Sequence, residues 1–236
     1  MATPYIYEKG VLKPYGTAPQ ANAGTVWKDG RPTVIHAMGD SLTRGQGAES
    51  QGGYRGPLWD KLRAAGKNIT TTGHRTDPGP GRWSGDGGWR IEEFMSPGTR
   101  NWTMMSGADY VRTYPADIIL FHIGTNNGGG LELSNAVLAE RLSDLLDDMW
   151  PYMTKTHMFI AAPILNQNPV WGGTANFSNA IIPMIQKKID EGRPYHLVRG
   201  MDKIVGSANY ADTVHLSPAG YTAMAQVWTD ALLAEQ

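Results

Sequence analysis

Short apolar runs without internal alternation constrain the fold of this 236-residue chain more than any other feature. Three such runs lie at residues 34–38, 117–123 and 157–165, a weaker fourth lies at residues 195–201, and residues 68–72 are a plausible fifth strand. Gly39 ends the first run, and Gly124 ends the second. Continuous apolar runs of this length are typical of strands that are buried on both faces of a sheet. The sequence therefore predicts a central, mostly parallel five-stranded sheet.

Helical patterns alternate with these runs. The leucines and the methionine within residues 138–149 follow the spacing of an amphipathic helix, with Ser134 as a candidate N-cap and Pro151 as a stop. Ser217 followed by Pro218 predicts the start of a C-terminal helix, because serine caps helices and proline suits the first helical position. Strands that alternate with helices predict an α/β fold with three layers, in which helices cover both faces of the sheet.

Two segments fit this alternation less well. The helical pattern at residues 178–189 contains Pro183, which predicts that the helix begins or kinks there. Residues 1–32 carry four prolines and several glycines, so we expect an irregular N-terminal lead-in. The remaining residues, 33–236, are then a single domain.

Composition excludes several classes of function. The 21 Lys and Arg residues nearly balance the 22 Asp and Glu residues, and no basic stripe is visible, so we expect neither nucleic-acid nor membrane partners. The absence of cysteine excludes disulfides and thiolate chemistry. The histidines show no metal-ligand spacing, which predicts no metal and no cofactor. Without a signal peptide or an apolar run of membrane-spanning length, we expect a soluble protein, and its compartment stays open, secretion included.

Polar residues that could carry chemistry follow the predicted strands. Ligands of parallel sheets bind outside the carboxyl ends of the strands, so these positions are the first place to look for a site. The segments are Gly39-Asp40-Ser41, Gly124-Thr125-Asn126 and, just before the C-terminal helix, Asp212-Thr213-Val214-His215. Each segment alone is a weak signal, because such short motifs are common in turns. Their joint occurrence in this order indicates a functional site.

These segments resemble the conserved blocks of the SGNH hydrolases, also called GDSL-type esterases. Ser41 matches the nucleophile block, Asn126 matches the Gly-x-Asn-Asp block, and Asp212 with His215 matches the Asp-x-x-His block. The resemblance covers residues 33–235 and implies the flavodoxin-like fold of that superfamily. This chain departs from the usual pattern at Asn127, where the family usually has Asp, and at Leu216, where it often has Pro.

The remaining block of the family supplies a glycine to the oxyanion hole. Residues 84–91 resemble the Gly-Trp-x-Ile form of the carbohydrate-esterase branch, which points to Gly88. Gly85 is the alternative, by alignment with the Ser-Gly-Asp form of the thioesterase branch.

The resemblance implies a role for each matched residue. Ser41 is the nucleophile, His215 is the base that activates it, and Asp212 orients the imidazole. The backbone N–H groups of Ser41 and Gly88 and the side-chain amide of Asn126 form the oxyanion hole. Asp40 is expected to hold the turn that carries Ser41.

The substrate is the least constrained part of the prediction. Four of the eight tryptophans fall in Gly/Pro-rich segments expected near the strand ends, and they are Trp83, Trp89, Trp102 and Trp171. Aromatic faces suit sugar rings, although tryptophan equally serves to anchor long loops. No loop is dense in Leu, Ile and Phe, as an acyl-lipid tunnel requires.

The first interpretation is a serine esterase that hydrolyses short-chain acetyl esters and removes O-acetyl groups from a carbohydrate, resembling acetylxylan-type esterases. Its partner is then a small ester or an acetylated carbohydrate. One alternative is a broad-specificity short-chain esterase, thioesterase or lysophospholipase. Another, from a different class, is a carbohydrate-binding module with a degenerate site. The exact acyl chain and the oligomeric state stay open.

Overall fold

A computed structural model of the chain describes residues 5–8, 11–14, 23–95, 105–127, 134–153, 155–164 and 175–235. The strands in chain order are β1 (Tyr5–Glu8), β2 (Val11–Pro14), β3 (Thr33–Gly39), β4 (Ile69–Thr71), β5 (Trp83–Gly85), β6 (Ile118–His122), β7 (His157–Ala161) and β8 (Tyr195–Val198). The helices are α1 (Ser41–Arg44), α2 (Arg55–Ala64), α3 (Ile91–Met95), α4 (Gly107–Thr113), α5 (Asn135–Met149), α6 (Ala175–Asp190) and α7 (Pro218–Leu233).

The central sheet is parallel throughout, with the order β4-β3-β6-β7-β8. β3 is long enough to pair with two short strands along one side. Residues 33–35 pair with β4, and residues 37–39 pair with β5. Within the described residues the sheet has six strands, and because β4 and β5 lie one after the other beside β3, these strands occupy five positions. This confirms the predicted parallel sheet and adds β5, a strand that the sequence did not predict. β5 and β3 end at the same edge of the sheet, where Gly85 pairs with Gly39.

Side chains of the sheet alternate between two apolar cores, one on each face. One core contains Phe121 of β6 and packs against α4, α5 and α6, whereas the other contains Leu120 and packs against α2 and α7. Helices therefore cover both faces, which confirms the three-layer α/β/α architecture. The predicted caps are also present, since the Ser134 and Ser217 hydroxyls accept the N–H groups of Val137 and Gly220 at the starts of α5 and α7.

Two local expectations differ from the structure. β1 and β2 form an antiparallel hairpin inside the lead-in that was expected to be irregular. Tyr, Ile, Val and Leu in these strands favour extended backbone, and this preference outweighs the nearby prolines. Pro183 lies inside α6 and does not begin it, because packing of the apolar stripe against α5 and β8 extends the helix on both sides, and a kink at Pro183 stays the prediction. Within the described residues, no helix has the length and apolarity needed to cross a membrane.

Candidate active site

The first candidate segment, residues 39–45, forms a buried turn that we call the Ser41 turn. Gly39 is required there, since a Cβ atom at this position would lie 2.2 Å from the His122 carbonyl oxygen on the neighbouring strand. Asp40 caps α1 by accepting the N–H of Leu42 at 2.9 Å through Oδ1. Burial raises the pKa of Asp40 to about 6, against hydrogen bonds that favour its ionised form. Ser41 itself is only 2% exposed.

A buried arginine that the sequence interpretation missed anchors this turn. Arg55, on α2, uses all five of its N–H donors on backbone carbonyl oxygens. Two of these carbonyls belong to Thr43 and Arg44 in the Ser41 turn, and three belong to the loop at residues 78–81. Burial lowers the pKa of Arg55 to about 10. No local motif signals this role, because all of its partners come from other segments.

The Asp212–His215 loop, which we define as residues 211–216, is held mainly by its own hydrogen bonds. Asp212 Oδ1 accepts the N–H groups of Val214 and His215, each at 2.7 Å. The Ala211 N–H donates to the His215 carbonyl oxygen at 2.9 Å. Partial burial raises the pKa of Asp212, but the hydrogen bonds from His215 and Val214 outweigh it and bring the pKa below its usual value. Asp212 is therefore ionised at neutral pH.

The fold brings this loop to the Ser41 turn, although 174 positions separate His215 from Ser41 in the chain. The distance from His215 Nδ1 to Asp212 Oδ2 is 2.8 Å, and the distance from His215 Nε2 to Ser41 Oγ is 3.0 Å. An ionised carboxylate can only accept, so the neutral imidazole carries its proton on Nδ1. Nε2 is then free to accept the proton of the serine hydroxyl, as a general base must.

Asn126 and Asn127 join the end of β6 to the segment after β5. Asn126 Nδ2 donates to the Trp89 carbonyl oxygen at 2.8 Å. Asn127 accepts the Ile91 N–H at 3.1 Å and donates to Glu92 Oε2 at 2.9 Å. Burial raises the pKa of Glu92, but the hydrogen bonds it accepts outweigh this and lower it below its usual value. An amide at position 127 suits this contact, since an aspartate would place a second carboxylate against Glu92.

Arg141 on α5 is the other partner of Glu92 and pairs with its Oε1. The chain Asn127–Glu92–Arg141 thus ties the end of β6, the start of α3 and the middle of α5 together. The sequence interpretation noted the unusual Asn127 but not its partners Ile91 and Glu92, which are 36 and 35 positions away.

The two oxyanion glycine candidates occupy different positions. Gly85 ends β5 opposite Gly39, where a Cβ atom would lie 1.7 Å from the Gly39 carbonyl oxygen, so any side chain is excluded. Gly88 lies in the turn closed by the Trp89 N–H and the Asp86 carbonyl oxygen, and it has a φ of +75°. That left-handed conformation favours glycine at position 88.

Trp83 and Trp89 do not form a sugar-facing surface and fit the other expectation, that tryptophan anchors loops. Trp83 and Trp89 are each 1% exposed, and they anchor their loops from inside the domain. Trp83 lies under the guanidinium of Arg55, and Trp89 packs edge-on against Phe94. Both rings are turned into the domain, because burial of a large apolar ring is favourable. Trp102 and Trp171 lie outside the described residues.

Comparison with known proteins identifies the family of the chain. The family model described as GDSL-like lipase/acylhydrolase matches residues 35–228, which include every residue of the candidate site. The chain belongs to the GDSL-like lipase/acylhydrolase family. It is thereby a member of a family of carboxylic ester hydrolases, as the resemblance of its motifs implied.

Individual relatives of this GDSL-like chain are carbohydrate esterases and larger esterases. A multidomain esterase from Ruminococcus flavefaciens is 28% identical over 224 residues, which are 83% of this chain but 28% of that relative. A family 3 carbohydrate esterase from Clostridium thermocellum has a TM-score of 0.69 at 25% identity and covers 86% of this chain and 96% of its own. A carbohydrate esterase family 3 structure from Talaromyces cellulolyticus has a TM-score of 0.67 at 18% identity, covering 86% and 97%, and shows the shared fold.

The chain spans only about a quarter of the length of the multidomain relative.

Proposed function

We propose that this domain is a serine esterase that hydrolyses short-chain acetyl esters and removes O-acetyl groups from a carbohydrate. The observation that carries the proposal is the continuous hydrogen-bonded chain from Ser41 Oγ through His215 to Asp212, with links of 3.0 and 2.8 Å. A serine hydroxyl is a weak nucleophile at neutral pH and needs a base of this kind within hydrogen-bond distance.

The reaction proceeds through an acyl-enzyme. His215 Nε2 takes the proton of Ser41 as Oγ attacks the acetyl carbonyl carbon, and the carboxylate of Asp212 stabilises the imidazolium. Collapse of the tetrahedral intermediate breaks the ester bond, and His215 gives the proton to the departing sugar oxygen. A water molecule, activated by the same imidazole, then releases acetate and restores Ser41.

The oxyanion of the tetrahedral intermediate needs fixed donors. The N–H of Ser41 is the first in α1 and has no partner within the helix, which suits it to this role. The Asn126 amide has two N–H donors, of which one holds the amide against the Trp89 carbonyl oxygen and the other can point to the oxyanion. We propose Gly88 as the third donor.

The Asn126 assignment has a direct test. Asn126→Ala is expected to lower kcat for p-nitrophenyl acetate by about 10²- to 10³-fold, as loss of one oxyanion donor does in other acyl-transfer enzymes. Asn126→Asp is the matched variant, because it keeps the size of the side chain but replaces the donor with an acceptor. Equal activity of Asn126→Ala and the native protein would remove Asn126 from the oxyanion hole.

Carbohydrate as the leaving group is supported by the carbohydrate esterases among the structural neighbours. The polar surroundings of Ser41 agree, because Arg44 and Gln46 both border the space beside it, where an acyl tunnel would need apolar side chains. Trp83 and Trp89 are buried and offer no ring face to a sugar, so the support for a carbohydrate substrate comes from the structural neighbours and from Arg44 and Gln46.

The decisive experiment compares hydrolysis of p-nitrophenyl acetate, butyrate and octanoate with acetate release from an acetylated polysaccharide. We expect turnover of acetate above all, release from the polysaccharide, and loss of both in Ser41→Ala. A preference for octanoate would favour a lipid esterase or thioesterase. Activity that survives in Ser41→Ala, or no turnover of any ester, would refute the catalytic assignment and favour a carbohydrate-binding module.

A further inference from the structure

Gly87 lies directly beside Ser41, and its missing side chain leaves a space there that is large enough for a methyl group. A methyl group placed on Gly87 would lie 3.9 Å from Ser41 Cβ, 3.7 Å from Gln46 Oε1 and 3.6 Å from Arg44 Nη1. One point in space is thus in van der Waals contact with both the nucleophile's side chain and a guanidinium. When the acetyl group of a sugar reaches Ser41 through this space, the sugar ring lies next to Arg44.

The charges around this space do not balance. Arg44 and Arg75 share a single carboxylate, that of Asp86, so the cluster Arg44–Asp86–Arg75 keeps a net positive charge. Burial and the positive charge of Arg75 lower the pKa of His74, next to the cluster, to about 4. His74 is therefore neutral at pH 7, and the net charge of the cluster comes from the arginines.

Asp86 binds its two arginines unequally. Arg75 Nη2 donates a hydrogen bond to Asp86 Oδ2. Arg44 Nη1 lies 3.6 Å from Asp86 Oδ1, which is too long for a hydrogen bond, and that oxygen already accepts the Gly87 N–H at 2.8 Å. The guanidinium of Arg44 is thus attracted to Asp86, but its donors are not committed to it. Its side chain is 44% exposed.

We infer that Arg44 selects acetylated carbohydrates that carry a carboxylate, such as uronic acids, by binding that carboxylate beside the ester. The planar guanidinium presents parallel N–H donors that match the two oxygens of a carboxylate. This inference rests on the proposed function, since it places the acetyl group of the same sugar at Ser41.

The test uses two substrates that differ only in charge, an acetylated methyl glucuronoside as the free acid and as its primary amide. With the native protein at pH 7, acetate release is expected to show a kcat/KM about tenfold higher for the acid. Arg44→Gln is expected to bring the acid-to-amide ratio close to one, and Arg44→Lys to keep part of it. Asp86→Asn, which removes the competing carboxylate but keeps an acceptor for Gly87, is expected to raise the ratio.

Arg63→Gln is the matched control, because Arg63 is an exposed arginine paired with Asp60 on the outer side of α2. It removes one positive charge far from Ser41 and is expected to leave the ratio as in the native protein. A native ratio near one, or a loss in Arg44→Gln that is equal for acid and amide, would overturn the inference. If the native protein cleaves no acetyl ester, the proposed function fails instead. Calorimetry then still decides the role of Arg44, by comparing the binding of the deacetylated acid and amide to the native protein and to Arg44→Gln.

Discussion

The Ser41 turn and the Asp212–His215 loop meet at one hydrogen bond, yet they are built in opposite ways. The turn is mostly buried, and it is held by its connection to β3 and by hydrogen bonds from Arg55. The loop lies on the surface, where the Asp212 side chain is 55% exposed and its contacts are mostly with its own backbone. The nucleophile is thus positioned by the core, and the acid–base pair by local hydrogen bonds.

This contrast separates stability from activity. Buried groups around the Ser41 turn have many partners, so their loss destabilises the whole domain. The side chains of Asp212 and His215 have few partners outside their loop and belong to neither apolar core, so their loss is expected to remove chemistry and leave the core intact. The following predictions test that separation.

The largest expected effect is a loss of activity without unfolding. His215→Ala removes the base from Ser41 and is expected to lower kcat for p-nitrophenyl acetate by about 10⁴-fold or more. Because His215 belongs to neither apolar core, the free energy of unfolding in urea is expected to stay within about 1 kcal/mol of the native value. A large fall in stability would show that the loop is part of the core and would break the comparison.

The second prediction concerns stability. Arg55→Met removes the donors from five backbone carbonyls and is expected to lower the free energy of unfolding by about 3 kcal/mol or more. Arg55→Lys keeps a charge but has fewer donors and is expected to recover only part of this loss. Urea denaturation followed by circular dichroism measures both. If Arg55→Met unfolds like the native protein, the core does not hold the Ser41 turn through this residue.

The third prediction is a loss of stability in acid that originates beneath the Ser41 turn. Burial lowers the pKa of His36 on β3 to about 3 and that of His122 on β6 to about 4. Both stay neutral in the folded domain, whereas the unfolded chain binds protons below its ordinary histidine pKa of about 6.5. Stability is therefore expected to fall as pH decreases from about 6.5 to about 4, by about 2 kcal/mol per histidine at pH 5.

The raised pKa of Asp40 acts in the opposite direction and offsets part of this loss, because the folded state takes up its proton first as pH falls. Urea titrations at pH 7 and pH 5 measure the difference. His122→Leu replaces the buried imidazole with a side chain that cannot bind a proton, and it is expected to reduce the loss of stability between pH 7 and pH 5. A stability that is equal at both pH values contradicts the prediction.

The smallest expected effect concerns Asn127. Asn127→Asp sets a carboxylate against Glu92 and is expected to lower kcat by about tenfold with little change in KM, since the Asn126 amide next to it shifts. The pair Asn127→Asp with Glu92→Gln restores a donor and an acceptor and is expected to recover most of the activity. Steady-state kinetics with p-nitrophenyl acetate measure all three variants. A double variant that is no better than Asn127→Asp argues against this positioning role.

The parts of the fold that could be predicted are those with strong local signals. The strands β3, β6 and β7 are continuous apolar runs, and the caps of α5 and α7 are visible in sequence. β5 has three residues in a segment rich in glycine and proline, and its pairing with β3 decides that it is a strand. Such pairing is a tertiary contact that no local pattern contains.

The candidate site divides in the same way. Ser41, Asp212 and His215 could be picked out because they stand in short motifs that resemble the blocks of one family in the same order along the chain. Arg55 and Glu92 act through partners far along the chain, and an arginine or a glutamate on a helix is ordinarily a solvated side chain. The inward orientation of Trp83 and Trp89 likewise depends on packing that the sequence pattern does not contain.

The five carbonyls bound by Arg55 have a consequence for engineering. Because one guanidinium joins the Ser41 turn to residues 78–81, the length and path of the loop before β5 are part of the nucleophile's alignment. Exchange of this loop between relatives, a common route to new substrate preferences, therefore has to preserve the positions of the carbonyl oxygens that bind Arg55. The Asp212–His215 loop is held instead by Asp212 and by the buried Leu216, so a redesign of that loop has to keep both residues.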